Sequence, residues 1–144
     1  MRAGKLSNEL SNTDINDLVG QLKIPNFRGC FIRDRVPALK PGESAIVNLN
    51  GMSHWVSWYR HTDGTYWYFD SYGIIGPMPF DKFDYTYSEI DIQALSSTAC
   101  GWYALGFLIS MNRGGNPQTM YMQYIDAFKG PEANDVTLKR RFKF

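Results

Sequence analysis

From Cys100 to Met111 the chain reads CGWYALGFLISM, with Trp102, Tyr103, Ala104, Leu105, Phe107, Leu108, Ile109 and Met111 spread around every face of a helix-length run. A helix that is apolar on all sides is a buried helix, so the rest of the chain must cover it. The stretch before it, QALSSTA, is largely small and polar, which places Cys100 at the helix start. Amide N–H groups at that end lack intrahelical partners, and the helix dipole adds partial positive charge. A thiol there loses its proton more readily, and the thiolate is the reactive species. Gly101 leaves the backbone beside the sulfur bare, so a substrate carbonyl can approach. The alternative is a buried structural cysteine, the commoner role of the residue, and Cys100 alone does not exclude it.

The 144 residues suit a single domain spanning 1–144. A chain of this length buries about two thirds of its unfolded surface and needs no covalent staple. A net charge of +1 predicts no polyanion partner from bulk charge, although local clusters can provide one. Two cysteines make no disulfide framework and fit a reducing compartment. The start, MRAGKLSNEL, lacks the apolar core of a signal peptide, and no run reaches membrane-spanning length. The expected protein is therefore not secreted, has no membrane partner and is a monomer.

In chain order, Thr13 is the expected N-cap of a short amphipathic helix carrying Ile15, Leu18, Val19 and Leu22. Phe27 to Val36 holds a strand fragment and a loop. SAIVNL, from Ser44, is a short apolar strand closed by Asn50-Gly51. HWVSWYR from His54 and TYWYFD ending at Asp70 flank the turn HTDGT and read as a hairpin. If Tyr59 pairs with Thr65, His54 falls opposite Asp70, on the same face and roughly 5 Å away at Cβ. A one-residue slip would separate them, so the hairpin permits the pair without proving it. Tyr85 to Ile92 reads as a further strand, with Gln93 just past its end. Asn116 and Pro117 are N-cap and N1 of a last helix bearing Met120, Tyr121, Tyr124, Ile125 and Phe128, stopped by Gly130-Pro131.

His54, Asp70, Gln93 and Cys100 together carry the parts of acyl-transfer chemistry. A thiol nucleophile needs a base, the base needs a group that fixes its tautomer, and the oxyanion needs donors. Gln93 can offer a side-chain N–H and Cys100 its backbone N–H. Each member has a plainer role: His54 as a half-buried ring beside Trp55, Asp70 as the start of a turn, Gln93 as an exposed strand end. His61 sits in the turn and is expected to be solvated. Cys30 has no helix behind it and is not the expected nucleophile. The two histidines and two cysteines have no metal-ligand spacing. No glycine-rich phosphate loop follows a strand.

The order His…Asp…Gln…Cys resembles the adenain-like and Ulp1-like cysteine proteases, which include adenoviral maturation proteases and SUMO-deconjugating enzymes. The resemblance is carried by His54-Trp55, by FDSYG from Phe69 to Gly73, by Gln93, and by Ala99-Cys100-Gly101 opening an apolar helix. The step from Gln93 to Cys100 is like that of the adenoviral branch, whereas Asp70 stands where those enzymes carry Glu and matches the SUMO branch. PNFRGCFIRDRVP is similar to segments preceding the His strand in proteases of virophages and Polinton-type elements. Papain-like enzymes place Cys before His, so the order separates the two groups.

The resemblance implies an α+β fold in which a central mixed β-sheet packs against the buried, nucleophile-bearing helix. It implies that His54 is the base, Asp70 its orienting partner, Cys100 the nucleophile and Gln93 an oxyanion donor, with Trp55 and Gly101 lining the substrate channel. The implied activity is a viral cysteine endopeptidase that cuts capsid and structural precursors at Gly-containing sites during virion maturation, in the virion and in the nucleus or cytoplasmic factory of the infected cell. A deconjugase of ubiquitin-like modifiers and a catalytically silent virion structural or binding protein are the alternatives.

No cofactor is required by the sequence; activation by the chain's own tail or by DNA stays open. VTLKRRFKF resembles the basic peptide that activates adenoviral protease, although that peptide is a separate molecule bearing a cysteine and this tail has none. Residues 131–144 form a basic tail expected to dock in cis, and the stretch near Val136 to Phe144 is expected to do so as an extended strand, with Val136, Leu138, Arg140, Phe142 and Phe144 alternating against Thr137, Lys139, Arg141 and Lys143. Lys139, Arg140, Arg141 and Lys143 would then be placed to meet nucleic acid. The alternative is a solvated basic terminus.

Overall fold

The computed structural model describes residues 9–49, 54–94, 97–128 and 131–142. It is an α+β arrangement. Helix α1 (Asn12–Leu22) precedes strands β1 (Phe27–Ile32), β2 (Ser44–Asn48), β3 (Trp55–Arg60), β4 (Tyr66–Phe69) and β5 (Tyr85–Thr86), followed by helices α2 (Cys100–Met111), α3 (Pro117–Asp126) and α4 (Pro131–Phe142). The five strands form one sheet in the order β1-β2-β3-β4-β5. The sheet is mixed: β1 and β2 are parallel, as are β4 and β5, while β3 runs antiparallel to both neighbours.

Strand alternation divides the core into two layers. Trp55 and Tyr59 of β3, with Trp67 and Phe69 of β4, face α2 and the other helices. Val56 and Trp58, with Tyr68, face a second cluster closed by Leu39 and Phe80. Helix α2 is buried along nearly its whole length, as an all-apolar helix must be. Phe107 stacks flat on Phe69 with centroids 4.8 Å apart, and Ser57 Oγ donates to the Ala104 carbonyl at 2.8 Å, fixing α2 across β3.

Several local expectations change. The N-cap of α1 is Ser11 rather than Thr13, because Ser11 and Asp14 close a reciprocal capping box. Of the strand expected over Tyr85 to Ile92 only β5 forms. Beyond it the Ser88 N–H bonds to the Tyr121 hydroxyl, and the Ile92 and Gln93 N–H groups both bond to the Ser71 carbonyl, so these backbone donors leave the ladder. His61 is buried, with Nδ1 3.1 Å from the Tyr59 hydroxyl, instead of solvated. Asn50-Gly51 and Gly130 lie outside the described residues.

The tail is the largest correction. Residues 131–142 form helix α4, and no strand is added to the sheet there. Asn134, Leu138 and Phe142, spaced at helical intervals, are buried, whereas Val136, which an alternating strand would bury with Leu138, is 52% exposed. Pro131 is tolerated in the first turn, where its missing N–H costs no helix bond. Helix α4 packs on the core through Leu138 and through Phe142, whose ring centroid lies 5.1 Å from that of Trp102. Leu138→Ala should therefore lower unfolding free energy by about 2–5 kcal/mol in urea titration. Val136→Ala should stay within about 0.5 kcal/mol. A solvated terminus would give two equal, negligible values.

Candidate active site

His54 and Asp70 stand at the open end of the β3–β4 hairpin. The ladder pairs Arg60 with Tyr66, Tyr59 with Trp67 and Ser57 with Phe69, not Tyr59 with Thr65. This differs from the expected register by two residues, which preserves every face. Continued past the last pair, the ladder puts Tyr72 opposite His54 and leaves Asp70 diagonal to it. The side chains follow: His54 Nε2 donates to Asp70 Oδ1 at 2.9 Å, and the Tyr72 ring stacks on the imidazole with centroids 4.9 Å apart. The Tyr72 N–H also donates to Asp70 Oδ1, at 2.8 Å, which holds the carboxylate in place. Gly73, at φ +71°, completes this turn against residues 89 and 90. A Cβ there would lie 2.6 Å from the Glu89 carbonyl oxygen, so only glycine fits.

Cys100 reaches the same histidine from the other side. Its Sγ accepts the Trp55 backbone N–H at 3.4 Å, and it shares a side-chain hydrogen bond with His54. With Nε2 committed to Asp70, Nδ1 is the nitrogen left for the sulfur. The start of β3 thus supplies both the imidazole and a backbone donor to one thiol. Burial, the largest single influence on His54, disfavours its charged form. The hydrogen bonds and charges of Asp70 and Cys100 together outweigh burial and raise the His54 pKa to about 9. Cys30 is different: burial pushes its thiol up to about 11, and its sulfur lies near the Asn12 carbonyl and Asn16, away from either histidine.

Gln93 is fully buried, not an exposed strand end. Its Oε1 accepts from the Ser71 hydroxyl, and its Nε2 donates to the Ser97 carbonyl at 3.1 Å and to Ser97 Oγ at 3.0 Å. The Ser97 carbonyl can only accept, so the nitrogen end of the amide faces the loop that leads into Cys100. Gln93 is thus brought to the site through that loop, and reaching a substrate oxygen requires exchanging a Ser97 bond for it.

Trp55 and Gly101 do not line an open channel in this structure. Both are buried, Trp55 Nε1 donates to the Leu10 carbonyl at 2.8 Å, and a Cβ on Gly101 would meet Leu10 atoms at 3.2 Å. The bare backbone of Gly101 is covered by the chain's own Leu10. A cleft of about 440 Å³ runs beside His54, Asp70 and Tyr72 and is walled by Leu49, Ile74, Ile75 and Arg33.

Tyr72, Ser71, Ser97 and Leu10 join the site only in the folded structure. Tyr72 was within reach, since it follows Asp70 on the hairpin; Leu10 and Ser97 carried no local signal. Among the described residues no group of His, Cys, Asp and Glu side chains could hold a metal ion, and no helix is long and apolar enough to cross a membrane. No family model matches the chain, and no curated protein matches it. Among solved structures, the chain is similar to the central domain of the uncharacterized Lpg1148 protein from Legionella pneumophila, at 15% identity over 81% of this chain and 83% of that one, with a TM-score of 0.48. A likeness that distant carries no functional argument.

Proposed function

We propose that this protein is a cysteine endopeptidase with an adenain/Ulp1-like fold. The observation that carries the reading is one imidazole, His54, bonded to Asp70 on one side and to Cys100 on the other, assembled from a hairpin and a separate helix start. On this reading the Cys100 thiol passes its proton to His54 and the sulfur attacks the scissile carbonyl, forming a C–S bond as the carbonyl electron pair moves to oxygen. Protonated His54 gives its proton to the leaving amine as the C–N bond breaks. Neutral His54 then takes a proton from water, which hydrolyses the thioester and frees the thiol. The oxyanion would be met by the Cys100 backbone N–H and by Gln93 once its amide turns from Ser97.

The substrates proposed are capsid and structural precursors of a virus, cut at Gly-containing sites in the virion or the infected cell. Exposed Lys139, Arg140 and Arg141 on α4 are the proposed contact for nucleic acid, with affinity that falls as salt rises; Lys143 lies outside the described residues. A thiol-reactive electrophile should label Cys100 and spare Cys30. Incubation with structural proteins of the same genome should then give new termini by mass mapping. Cleavage of modifier fusions instead would indicate a deconjugase, and neither labelling nor cleavage a silent protein.

Gln93→Ala should lower kcat by roughly 10²–10³ with a smaller change in KM. It should also lower the melting temperature, because Ser71 and Ser97 lose a buried partner, at about 1–3 kcal/mol each. A stability loss without the kcat loss would reduce Gln93 to a loop anchor.

A further inference from the structure

We propose that α4 is a clamp, supplied in cis, on the oxyanion side of the site, and that Asp135 is its positioning residue. This rests on the cysteine-protease reading and deepens it. Asp135 Oδ1 accepts from the Tyr103 hydroxyl at 2.7 Å, and Oδ2 accepts from Ser97 Oγ at 2.7 Å. Tyr103 lies in the first turn of α2, and Ser97 lies in the loop just before it. One carboxylate therefore ties both flanks of Cys100 to α4. A second tie runs from the buried Asn134, whose Nδ2 donates to the Ile92 carbonyl at 2.8 Å, next to Gln93. Leu138 and Phe142 anchor α4 itself in the core.

The carboxylate also sets proton polarity. It can only accept, so the Ser97 hydroxyl proton points at Asp135. The hydroxyl's lone pairs are then turned to Gln93 Nε2 at 3.0 Å and to the Ala99 N–H at 3.2 Å. The first contact reinforces the orientation of the Gln93 amide, nitrogen toward Ser97 and oxygen toward Ser71. The second anchors the residue on which α2 begins, since Ala99 is the N-cap and has no side chain able to cap. The direction of the Cys100 backbone N–H follows from where that helix starts. Bonds to an ionised acceptor are the strong ones in such a chain. Oxyanion stabilisation depends on donors set before the reaction, so a loop that shifts loses rate more than affinity.

The test uses the full chain carrying Asp135→Asn, Asp135→Ala or Asp135→Glu. Asn keeps the size but replaces one acceptor with a donor, so the Ser97–Asp135–Tyr103 polarity cannot survive intact. With a Gly-containing peptide substrate, the Asn and Ala variants should lose roughly 10- to 100-fold in kcat with KM within about threefold, and Glu should recover part of it. Alkylation of Cys100 by iodoacetamide, which forms no oxyanion, should stay within about twofold of wild type. Binding of a peptide aldehyde, whose thiohemiacetal does form one, should weaken in step with kcat. Unchanged kcat, or alkylation that falls in parallel with it, overturns the clamp.

Proton exchange of the Gln93 side-chain amide, followed by NMR, separates this proposal from the protease reading. It should be slow in wild type and fast in Asp135→Asn, whether or not the protein cleaves anything. If wild type hydrolyses no peptide while the amide responds, the protease reading fails and the clamp stands. If wild type hydrolyses peptide while the amide is indifferent to Asp135, the clamp fails alone.

Discussion

Cys100→Ala is expected to remove turnover, by roughly 10⁶ in kcat, the scale of losing a nucleophile that works as a unit with its base. Substrate binding should persist, because the cleft beside Tyr72, Ile74 and Ile75 is untouched. The substitution also has a structural cost. The sulfur accepts the Trp55 N–H, so alanine leaves that buried donor unmet at about 1–3 kcal/mol, discounted because sulfur is a weak acceptor. A fall of a few degrees in melting temperature is expected for a chain of this size. Full-length Cys100→Ala that binds a substrate peptide and does not cut it would support the assignment. Cleavage at the wild-type rate would overturn it, as would finding that Cys30→Ala is the inactive variant.

Asp70→Asn is expected to lower kcat by up to about 10⁴, the scale of loss when the orienting carboxylate that stabilises the imidazolium becomes a neutral amide. The diagnostic signature lies in pH. In wild type the His54 pKa is raised to about 9, with Asp70 supplying a hydrogen bond and a charge against the opposing effect of burial. Removing that charge should lower the titration, read by imidazole NMR, with Cys100 left to oppose burial alone.

The sign for stability follows from the same shift. A folded-state pKa above the unfolded one means that the native state holds the proton more tightly. That contribution is full below about pH 6.5 and is lost as pH rises through about 9. Wild-type stability should therefore decline across that window, and Asp70→Asn should flatten the decline. If the variant titrates like wild type, Asp70 does not hold the imidazolium.

The unfavourable side of the Asp70 prediction is that the carboxylate has other work. Its Oδ1 also takes the Tyr72 N–H, and Gly73 closes the turn behind it by bonding to the Asp70 carbonyl at 2.8 Å. An amide oxygen can keep the Tyr72 contact, so Asp70→Asn tests charge with the turn retained, whereas Asp70→Ala would mix catalysis with loop order.

What the sequence determined by itself was whatever a short-range period can carry. Twelve residues without a polar face required a buried α2, and the structure buries nearly all of it. HWVSWYR and TYWYFD predicted a hairpin that permits His54 and Asp70 to share a face, and the two-residue difference in register left that face unchanged because a strand's side-chain period is two. The same insensitivity hid the register itself, so the opposition of Tyr72 to His54 could only come from the folded turn.

The tail shows the limit from the other direction. Leu138 and Phe142, four residues apart, satisfy both a strand's and a helix's spacing, and the helix is the form in which Asn134, Leu138 and Phe142 are buried together, with Phe142 against Trp102. Leu10 over Gly101 and Asp135 between Ser97 and Tyr103 are contacts between segments far apart in the chain. No local pattern encodes them. They exist because burying α2 draws the chain's N-terminal segment, its preceding loop and its last helix onto the same end of one element, and that convergence belongs to the tertiary structure alone.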